Sequence, residues 1–422
     1  MTTVAVDDTD SRDRGMCTTY LATLLGERLV EAGATVERRL LVRCNPAVER
    51  KTRGNAALAL HTDADPADAL AAATDLVERV AETDDERTSP GLVVAPGDPA
   101  TVPDAVAAFA RDAVRDHLAL DDAVALAARA GYETRGWAGG HGRIGALAAV
   151  GAWRAFDDWT YERISYREAG RPGTPREVDR DSVFAAAADA YPAAWDTVDR
   201  VEGEAVCVPA APGPVLHGVR GDDPGTVERV ADRIDGEPVA RAATFVTNQG
   251  TDAHLRSGRV ADVRDGRAYR LDATVVDAPA TREGGHVFVT LRDGDATLPA
   301  VAFEPTKRFR DRVRALRPGD EVTACGEVRD GTLKLEKFAV RELVRTEPTT
   351  PDCPACGRSM SSAGRNAGYR CRDCGTSAPG KVETPVDREL ERGWYEVPPC
   401  ARRHVAKPLA RGGFDAPTHP ER

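Results

Sequence analysis

The sequence predicts a multidomain protein in which α/β and α+β regions precede a β-barrel and a metal-binding tail. Strand-like and helix-like segments alternate up to about residue 122. From about residue 262, five short strand patterns follow one another, separated by turn signals. Two Cys-x-x-Cys pairs then lie near the end of the 422-residue chain. At about 100–200 residues per domain, this length fits several domains.

The first region, residues 1–122, has the pattern of an α/β domain. Leu21, Leu25 and Leu29 recur at helical spacing between two apolar segments of strand length. A second strand and helix pair follows at some distance along the chain. The predicted strands are 3–6, 35–42 and 92–95, and the predicted helices are 18–30 and 103–118.

The second region, residues 123–255, mixes the two periodicities less regularly, which is typical of an α+β domain. Helices are predicted at 144–156 and 183–191. Strands are predicted at 205–208 and 244–246.

Residues 262–346 match the plan of an OB-fold barrel, which has five strands and a helical insert after the third. Asp-Gly and Pro-Gly pairs separate the strand patterns. The predicted strands are 269–276, 286–291, 298–303, 320–328 and 332–340, with the helical insert at 306–316.

The tail, residues 347–422, carries the strongest spacing signal. Its four cysteines form two Cys-x-x-Cys-Gly knuckles, and four thiolates suit a closed tetrahedral zinc site. A redox dithiol or chance is the weaker alternative. The predicted zinc ligands are Cys353, Cys356, Cys371 and Cys374.

Composition excludes several classes of protein. Hydrophobic residues make up 41% of the chain, so it is not disordered, and no apolar run approaches the ~18–20 residues of a membrane span. The acidic N-terminus and the odd cysteine count predict a cytoplasmic location. The net charge is −11, and only six of 57 basic residues are lysines. High-salt adaptation and a GC-rich genome explain this equally well.

Three carboxylates, Asp7, Asp8 and Asp10, follow the first predicted strand directly. In α/β sheets, active sites lie at the carboxyl ends of strands. Carboxylates this close repel one another unless a cation neutralises them, and magnesium bound to nucleotide phosphates is the natural candidate. By position alone, a solvated acidic turn is an equal alternative.

Two further segments are candidate phosphate sites. Lys51, Arg53, Gly54 and Asn55 combine basic side chains with an exposed backbone, although a plain basic loop is the alternative. The glycine-rich run 139–145 leads into a predicted helix, so its Gly142 and Arg143 are candidate anion ligands. A packing turn explains these glycines equally well.

Three polar or basic stretches are weaker candidates. The run 247–254 follows a strand and is either a ligand site or a solvated loop. Segment 304–317 holds six basic and two acidic residues. Segment 394–407 interleaves aromatic and basic residues, as in nucleic-acid-binding surfaces, with ordinary packing as the alternative.

Taken together, these motifs resemble one family, the archaeal isoleucine-tRNA agmatinylcytidine synthetases. The resemblance runs over essentially the whole chain. Its motifs are DDTDSRDRGMCTTYLA (7–22), KTRGNAA (51–57), GRIGALAAVGAW (142–153), DDWTYERISYR (157–167), PVLHGVRG (214–221), FVTNQGTDAHL (245–255), FEPTKRFR (303–310), the cysteine pairs and GWYEVPPCARRHVAKPL (393–409).

The resemblance implies an ATP-dependent ligase. Such an enzyme conjugates agmatine to C2 of the wobble cytidine of an isoleucine tRNA with a CAU anticodon, so that AUA is read as isoleucine. It also implies a kinase-like first domain, a ferredoxin-like second domain, and a barrel, ribbon and tail that hold the tRNA. The expected cofactors are ATP, magnesium and zinc.

The family's ATP and metal residues map onto the acidic cluster, with Asp7 and Asp8 as magnesium ligands. Thr18 and Thr19 match its reactive threonine region, and Thr18 is the candidate transient phosphate acceptor. Because agmatine is a dication, its pocket should supply carboxylates. The candidates are Asp157, Asp158, Glu162 and Asp252.

Two other functions compete with this hypothesis. An OB barrel with a zinc ribbon also builds single-stranded nucleic-acid-binding proteins, which would explain only residues 262–422. An ATP-dependent RNA enzyme of the same architecture that attaches something other than agmatine is the second alternative.

Overall fold

A computed structural model of the chain describes residues 1–49, 51 and 54–422. It contains a large helix-covered sheet, a closed β-barrel and a small cysteine-rich module. The predicted combination of α/β, α+β, OB-fold and zinc-ribbon architecture is confirmed.

Nine strands form the large sheet in the described part of the chain. They are β1 (Thr2–Asp7), β2 (Val36–Arg43), β3 (Ala56–Thr62), β4 (Gly91–Pro96), β5 (Glu133–Gly136), β6 (Thr160–Arg167), β7 (Ala194–Trp195), β8 (Val215–Gly221) and β9 (Val239–Thr247).

Seven helices accompany this sheet. They are α1 (Thr18–Glu31), α2 (Pro66–Val80), α3 (Asp104–Arg115), α4 (Leu120–Arg129), α5 (Arg143–Ala155), α6 (Arg180–Ala190) and α7 (Pro224–Ala231). None of the described helices is both long enough and apolar enough to cross a membrane.

The strand order is β5-β4-β1-β3-β2-β9-β6-β8-β7. Neighbouring strands are antiparallel except β2 and β9, which pair in parallel through Leu40 and Val246. The sheet therefore continues from the first predicted domain into the second without a break.

Strand β1 is buried on both faces, as its uninterrupted apolar run requires. Val4 and Val6 pack with α1 and α2, whereas Ala5 packs with α3 and α5 on the opposite face. Its last residue, Asp7, consequently emerges in the middle of the sheet between two helical layers.

The second half of the sheet contains the predicted helices as α5 and α6. Asp179 caps α6 by accepting a hydrogen bond from the Ser182 N–H at 2.9 Å. The predicted strand 205–208 is wrong, because this segment is a turn. Its Cys207 N–H donates to Thr197 O and its carbonyl accepts from Gly218 N–H, so no ladder forms.

The barrel closes through antiparallel and parallel pairs in the order β11-β13-β14-β16-β15-β11. The elements of this region are β10 (Leu255–Gly258), β11 (Arg267–Val275), β12 (Ala280–Thr281), β13 (Val287–Asp293), β14 (Ala296–Ala302), α8 (Phe309–Arg314), β15 (Glu321–Arg329) and β16 (Thr332–Glu342).

The five predicted barrel strands are present, as is the helical insert after the third. Phe309 and Val313 of α8 are fully buried in the barrel core. The helix is shorter than predicted because Lys307 adopts a positive φ of 51°, which separates it from the 3₁₀ turn at Glu304–Thr306.

The remaining strands form the cysteine-rich module and a final layer on the barrel. They are β17 (Thr346–Thr349), β18 (Ser361–Ser362), β19 (Tyr369–Arg370), β20 (Ser377–Ala378), β21 (Val382–Pro385), β22 (Gly393–Glu396) and β23 (Thr418–His419). Strand β22 pairs with β16, so the barrel gains a strand from residues 393–422, here named the C-terminal strap.

Candidate active site and metal site

One cavity of about 740 Å³ lies where the first half of the large sheet, the second half of that sheet and the barrel meet. Residues of all three regions line it, and the end of β1 lies at its wall. Many of the residues predicted from sequence for ATP and catalysis share this cavity. They are Asp7, Asp8, Asp10, Thr18, Thr19, Lys51, Gly54, Asn55 and Gly142.

The acidic cluster is largely buried, not a solvated turn. Asp7 and Asp10 are each only 8% exposed, and Asp8 is half-buried with a positive φ of 58°. Burial, reinforced by neighbouring carboxylates, raises the pKa of Asp7 well above its usual range and that of Asp8 to about 7. Such a cluster favours a bound cation, which would lower the cost of ionisation.

Backbone groups hold these carboxylates in place. The Asp8 N–H donates to Asp7 Oδ1 at 2.7 Å, and the Ser89 N–H donates to Asp8 Oδ2 at 3.0 Å. Neither Asp7 nor Asp8 pairs with a lysine or arginine among the residues that the structure describes.

The two threonines open α1 beside this cluster, and both are buried. Thr9 Oγ1 lies 3.2 Å from Thr18 Oγ1, and Cys17 Sγ lies 3.0 Å from Thr19 Oγ1. Thr18 also begins the helix, where backbone N–H groups lack intrahelical partners and the helix dipole favours a negative group.

The glycine-rich run serves packing more than anion binding. A Cβ on Gly142 would lie 2.5 Å from Asp7 O, and one on Gly145 would lie 1.9 Å from Asp7 Oδ2. The Gly142 N–H already donates to Ser89 O. The missing Cβ atoms therefore let α5 approach the Asp7 carboxylate.

Arg143 lies outside the lining of the cavity. Its Nε donates to Gly140 O at 3.0 Å, which fixes the preceding turn. Its predicted role as an anion ligand has no support in this geometry.

The predicted phosphate loop lines the cavity through Lys51, Gly54 and Asn55, while Arg53 lies outside the described residues. Asn55 adopts a positive φ of 49°, and its Nδ2 donates to Asn45 O at 2.6 Å. The end of this loop is thus anchored to the segment that follows β2.

The agmatine candidates separate clearly. Only Glu162 lines the cavity, where its Oε1 accepts from Arg220 Nε at 3.2 Å. Its buried Oε2 has no hydrogen-bond partner among the described residues and lies 3.7 Å from Arg43 Nη2.

The other three carboxylates are placed elsewhere. Asp157 and Asp158 are exposed outside the cavity, and Asp158 pairs with Arg411 of the strap. Asp252 accepts from Lys337 Nζ at 2.6 Å, so it supports the junction with the barrel.

Arg43 is a cavity residue that sequence reasoning missed. The predicted polar run holds it in place: Arg43 N–H donates to Asn248 Oδ1 at 2.8 Å and Arg43 Nε to Gln249 Oε1 at 2.9 Å. His254 Nε2 lies 3.1 Å from Arg43 O. An arginine directly after the apolar run Leu-Leu-Val, at the end of β2, was the available signal.

The aromatic residues of the tail segment are core residues. Trp394 is fully buried, its Nε1 donates to Asp415 at 2.9 Å, and Tyr395 is 4% exposed. Neither ring can stack on a nucleic-acid base in this arrangement, so ordinary packing explains them.

Several basic side chains of the barrel insert and the strap are also engaged within the protein. They form ion pairs across the junction between the second half of the sheet, the barrel and the strap. The pairs are Arg402 with Asp196 and Glu396, Arg403 with Glu327 and Glu336, Lys307 with Glu202, and Arg308 with Asp199.

The four predicted zinc ligands converge in the cysteine-rich module, with their sulfur atoms within 4.8 Å of one another. Gly357 and Gly375 adopt φ values of 70° and 77°, which lets each knuckle turn its backbone toward the sulfurs. This donor set fits a structural zinc ion, and no ligand position is left for catalytic water.

Comparison with known families covers most of the chain. Residues 3–64 match the TiaS TCKD domain, 140–254 the TiaS FLD domain, 257–336 the OB-fold nucleic acid binding domain and 350–390 the TiaS C-terminal zinc ribbon domain.

Two curated relatives are named isoleucine-tRNA 2-agmatinylcytidine synthetase TiaS. The protein from Haloquadratum walsbyi is 55% identical, with all of both chains covered. The protein from Methanosarcina mazei is 46% identical, with 97% of each chain covered.

Solved structures agree with these relatives. A TiaS complex with an isoleucine tRNA and ATP is 40% identical with a TM-score of 0.89, covering 100% of this chain and 99% of that one. A TiaS complex with the tRNA, AMPCPP and agmatine is 37% identical with a TM-score of 0.87 and the same coverage. With full-length identity at this level, the chain belongs to the TiaS family of isoleucine-tRNA 2-agmatinylcytidine synthetases.

Proposed function

We propose that this protein is an ATP-dependent ligase that joins agmatine to C2 of the wobble cytidine of an isoleucine tRNA with a CAU anticodon. The carrying observation is one cavity in which buried carboxylates, the threonines of the first turn of α1 and one edge of the OB barrel meet. A nucleotide, an amine and an RNA base can all reach such a chamber. The product base reads AUA as isoleucine.

Magnesium is part of this proposal, with Asp7 and Asp8 as its ligands. Their oxygen donors are the type that magnesium prefers, and their clustered negative charge lacks a described cationic partner. When bound, the ion would neutralise charge on the nucleotide phosphates. The two carboxylates would hold the ion at the carboxyl end of β1.

Thr18 is the proposed phosphate acceptor. Its hydroxyl contacts Thr9 within the cavity, and it lies at the first turn of α1, where an anion is stabilised by the helix. Thr19 is less suited, since its hydroxyl lies 3.0 Å from Cys17 Sγ.

Phosphate transfer solves the chemical problem of the reaction. The C2 oxygen of cytosine is a poor leaving group, so in this proposal the phosphoryl group passes from ATP by way of Thr18 to that oxygen. When the amine of agmatine attacks C2, the C2–O bond breaks and the oxygen leaves as phosphate. Catalysis then depends mainly on positioning and charge neutralisation. Glu162 Oε2, which makes no hydrogen bond with the described residues and lies 3.7 Å from Arg43 Nη2, is the proposed acceptor for one cationic end of agmatine.

The barrel and the zinc ribbon are the proposed tRNA-binding surfaces. The ribbon exposes basic side chains such as Arg365 and Arg372, and zinc would fix its fold. The proposal includes a cytoplasmic location, where isoleucine tRNA and ATP are present.

The test is an incorporation assay with isoleucine tRNA transcript, ATP, magnesium and labelled agmatine. The proposal predicts label in the RNA that depends on ATP and on the wobble cytidine. No incorporation, together with tight binding of single-stranded DNA that consumes no ATP, would instead support the binding-protein alternative. Incorporation of another amine in place of agmatine would indicate a different substrate.

A further inference from the structure

The OB barrel itself forms part of the cavity wall. Asp265, Gly266, Arg329 and Asp330, which follow or precede barrel strands, all line it. Asn45 Nδ2, at the end of β2, donates to Gly266 O at 2.9 Å and so fixes the barrel against the nucleotide region.

Arg267 strengthens the same junction. It pairs with Asp116 at the end of α3, with an Nη2 to Oδ1 distance of 2.7 Å. The barrel residues that face the cavity are therefore held close to the predicted phosphate loop.

Lys51 is the basic residue that the described part of this loop offers to the cavity. It is half-buried, and its Nζ makes no hydrogen bond or ion pair with the residues that the structure describes. Burial lowers the pKa of Lys51, the carboxylate of Glu327 opposes this, and the positive charges of Arg403 and Arg329 lower it further. A bound anion from outside the protein would therefore stabilise the charged form of Lys51.

Arg329 approaches the same space from the last residue of β15. Its side chain is 53% exposed, and its only described ion pair is a loose one, with Nε 3.9 Å from Asp330 Oδ2. That distance is too long for a hydrogen bond, so the guanidinium retains its donors for a ligand.

Of the acids near these two cations, Asp330 makes only the loose ion pair with Arg329, and Glu327 is the acid whose charge acts on Lys51. Glu327 is 3% exposed and is bound by Arg403 at 2.9 Å, while Asp265 Oδ1 accepts from the Gly331 N–H. Two cations from different domains thus line one cavity, and neither side chain donates a hydrogen bond to a residue that the structure describes.

We propose that Lys51 and Arg329 form a phosphate clamp across the junction between the first sheet and the barrel. The inference rests on the proposed function, because it assigns these residues to a phosphate used in that reaction. A phosphate oxygen suits the pair because arginine binds it through a planar fork and lysine as a point charge. The phosphate is supplied by ATP or by the RNA backbone beside the target cytidine.

The experiment compares Arg329→Ala with Arg329→Lys and with Arg259→Ala as a control. Arg259 is 70% exposed on the same barrel, pairs with Asp293 and does not line the cavity. The Kd of AMPCPP without tRNA is measured at one fixed salt concentration, and the Kd of tRNA without nucleotide is measured over a series of salt concentrations.

If the clamp holds ATP, Arg329→Ala raises the Kd of AMPCPP about tenfold and leaves the Kd of tRNA unchanged. If it holds the RNA backbone, the Kd of tRNA rises about tenfold and the slope of its salt dependence falls by about one. In either case, Arg329→Lys retains part of the affinity and Arg259→Ala behaves as wild type.

Changes below twofold in both constants, or equal changes in Arg259→Ala, would overturn the clamp. Failure of the proposed function gives a different result, since wild-type enzyme would then incorporate no agmatine. The two binding constants are measurable without that reaction, so the two failures are distinguishable.

Discussion

The cavity and the junction beneath the C-terminal strap contain the same kinds of charged residues but use them in opposite ways. In the junction, buried Arg402 is shared between Asp196 and Glu396. In the cavity, Asp7 and Asp8 lie side by side, and neither forms an ion pair with a lysine or arginine among the described residues. Opposite charges hold the domains together, whereas like charges mark the place where a ligand must complete the structure.

Removing one cavity carboxylate should produce the largest effect, and on activity alone. Asp8→Asn should lower kcat/KM for agmatine incorporation on the order of 10³-fold, because the nucleotide phosphates lose a metal ligand. Its folding stability should stay equal or rise, since repulsion from Asp10 is relieved. Steady-state kinetics and thermal unfolding measure the two quantities.

Asp189→Asn is the matched control for that substitution. Asp189 is 63% exposed and pairs with Arg233 on the surface. Its activity should match wild type. An Asp8→Asn enzyme within tenfold of wild-type activity would show that the acidic cluster is not the catalytic centre.

Breaking the junction should give the next largest effect, and on stability. Arg402→Ala leaves Asp196 and Glu396 buried without their cation, which should cost about 3–5 kcal/mol in the free energy of unfolding. The exposed Arg233→Ala control should cost under about 0.5 kcal/mol. Urea unfolding of the two variants measures both costs, and a loss below about 1 kcal/mol in Arg402→Ala would contradict the junction's role.

Acid should weaken the fold through its buried histidines. Burial lowers the pKa of His61, His217 and His254 to about 4, and that of His404 well below its usual range. As pH falls below about 6.5, the unfolded chain binds protons that the folded chain excludes, so stability decreases toward pH 4. His61, His217 and His254 each contribute at most on the order of 3 kcal/mol to this loss.

His217→Gln isolates one such contribution. Neither ring nitrogen of His217 has a hydrogen-bond partner among the described residues, and the side chain is fully buried in the second half of the sheet. The variant should show a shallower dependence of unfolding free energy on pH between 6.5 and 4.5. An unchanged slope would mean that this histidine titrates normally in the fold.

Sequence patterns predicted those features whose residues are close together in the chain. Asp7, Asp8 and Asp10 form a dense acidic motif after a strand, and the cysteine knuckles have fixed spacing. The barrel was predictable because its strands alternate with strong turn signals.

Features built by long-range contacts were not predictable in this way. Arg43 enters the cavity only because Asn248 and Gln249, from a distant segment, hold its backbone and side chain. Likewise, Trp394 and Arg402 are residue types that are common on nucleic-acid-binding surfaces. In this fold they bind partners within the protein and so stabilise its structure. Charge and aromatic content alone do not show whether a side chain binds a partner within the protein or a nucleic acid.

The most direct test measures activity and stability together for Asp8→Asn and Arg402→Ala. The account predicts that Asp8→Asn loses agmatine incorporation while its free energy of unfolding is retained or increased. It predicts that Arg402→Ala loses several kcal/mol of stability but, where folded, keeps kcat near wild type. Equal losses of activity and stability in both variants would contradict this account, in which the cavity carries out the reaction and the ion pairs of the junction hold the domains together.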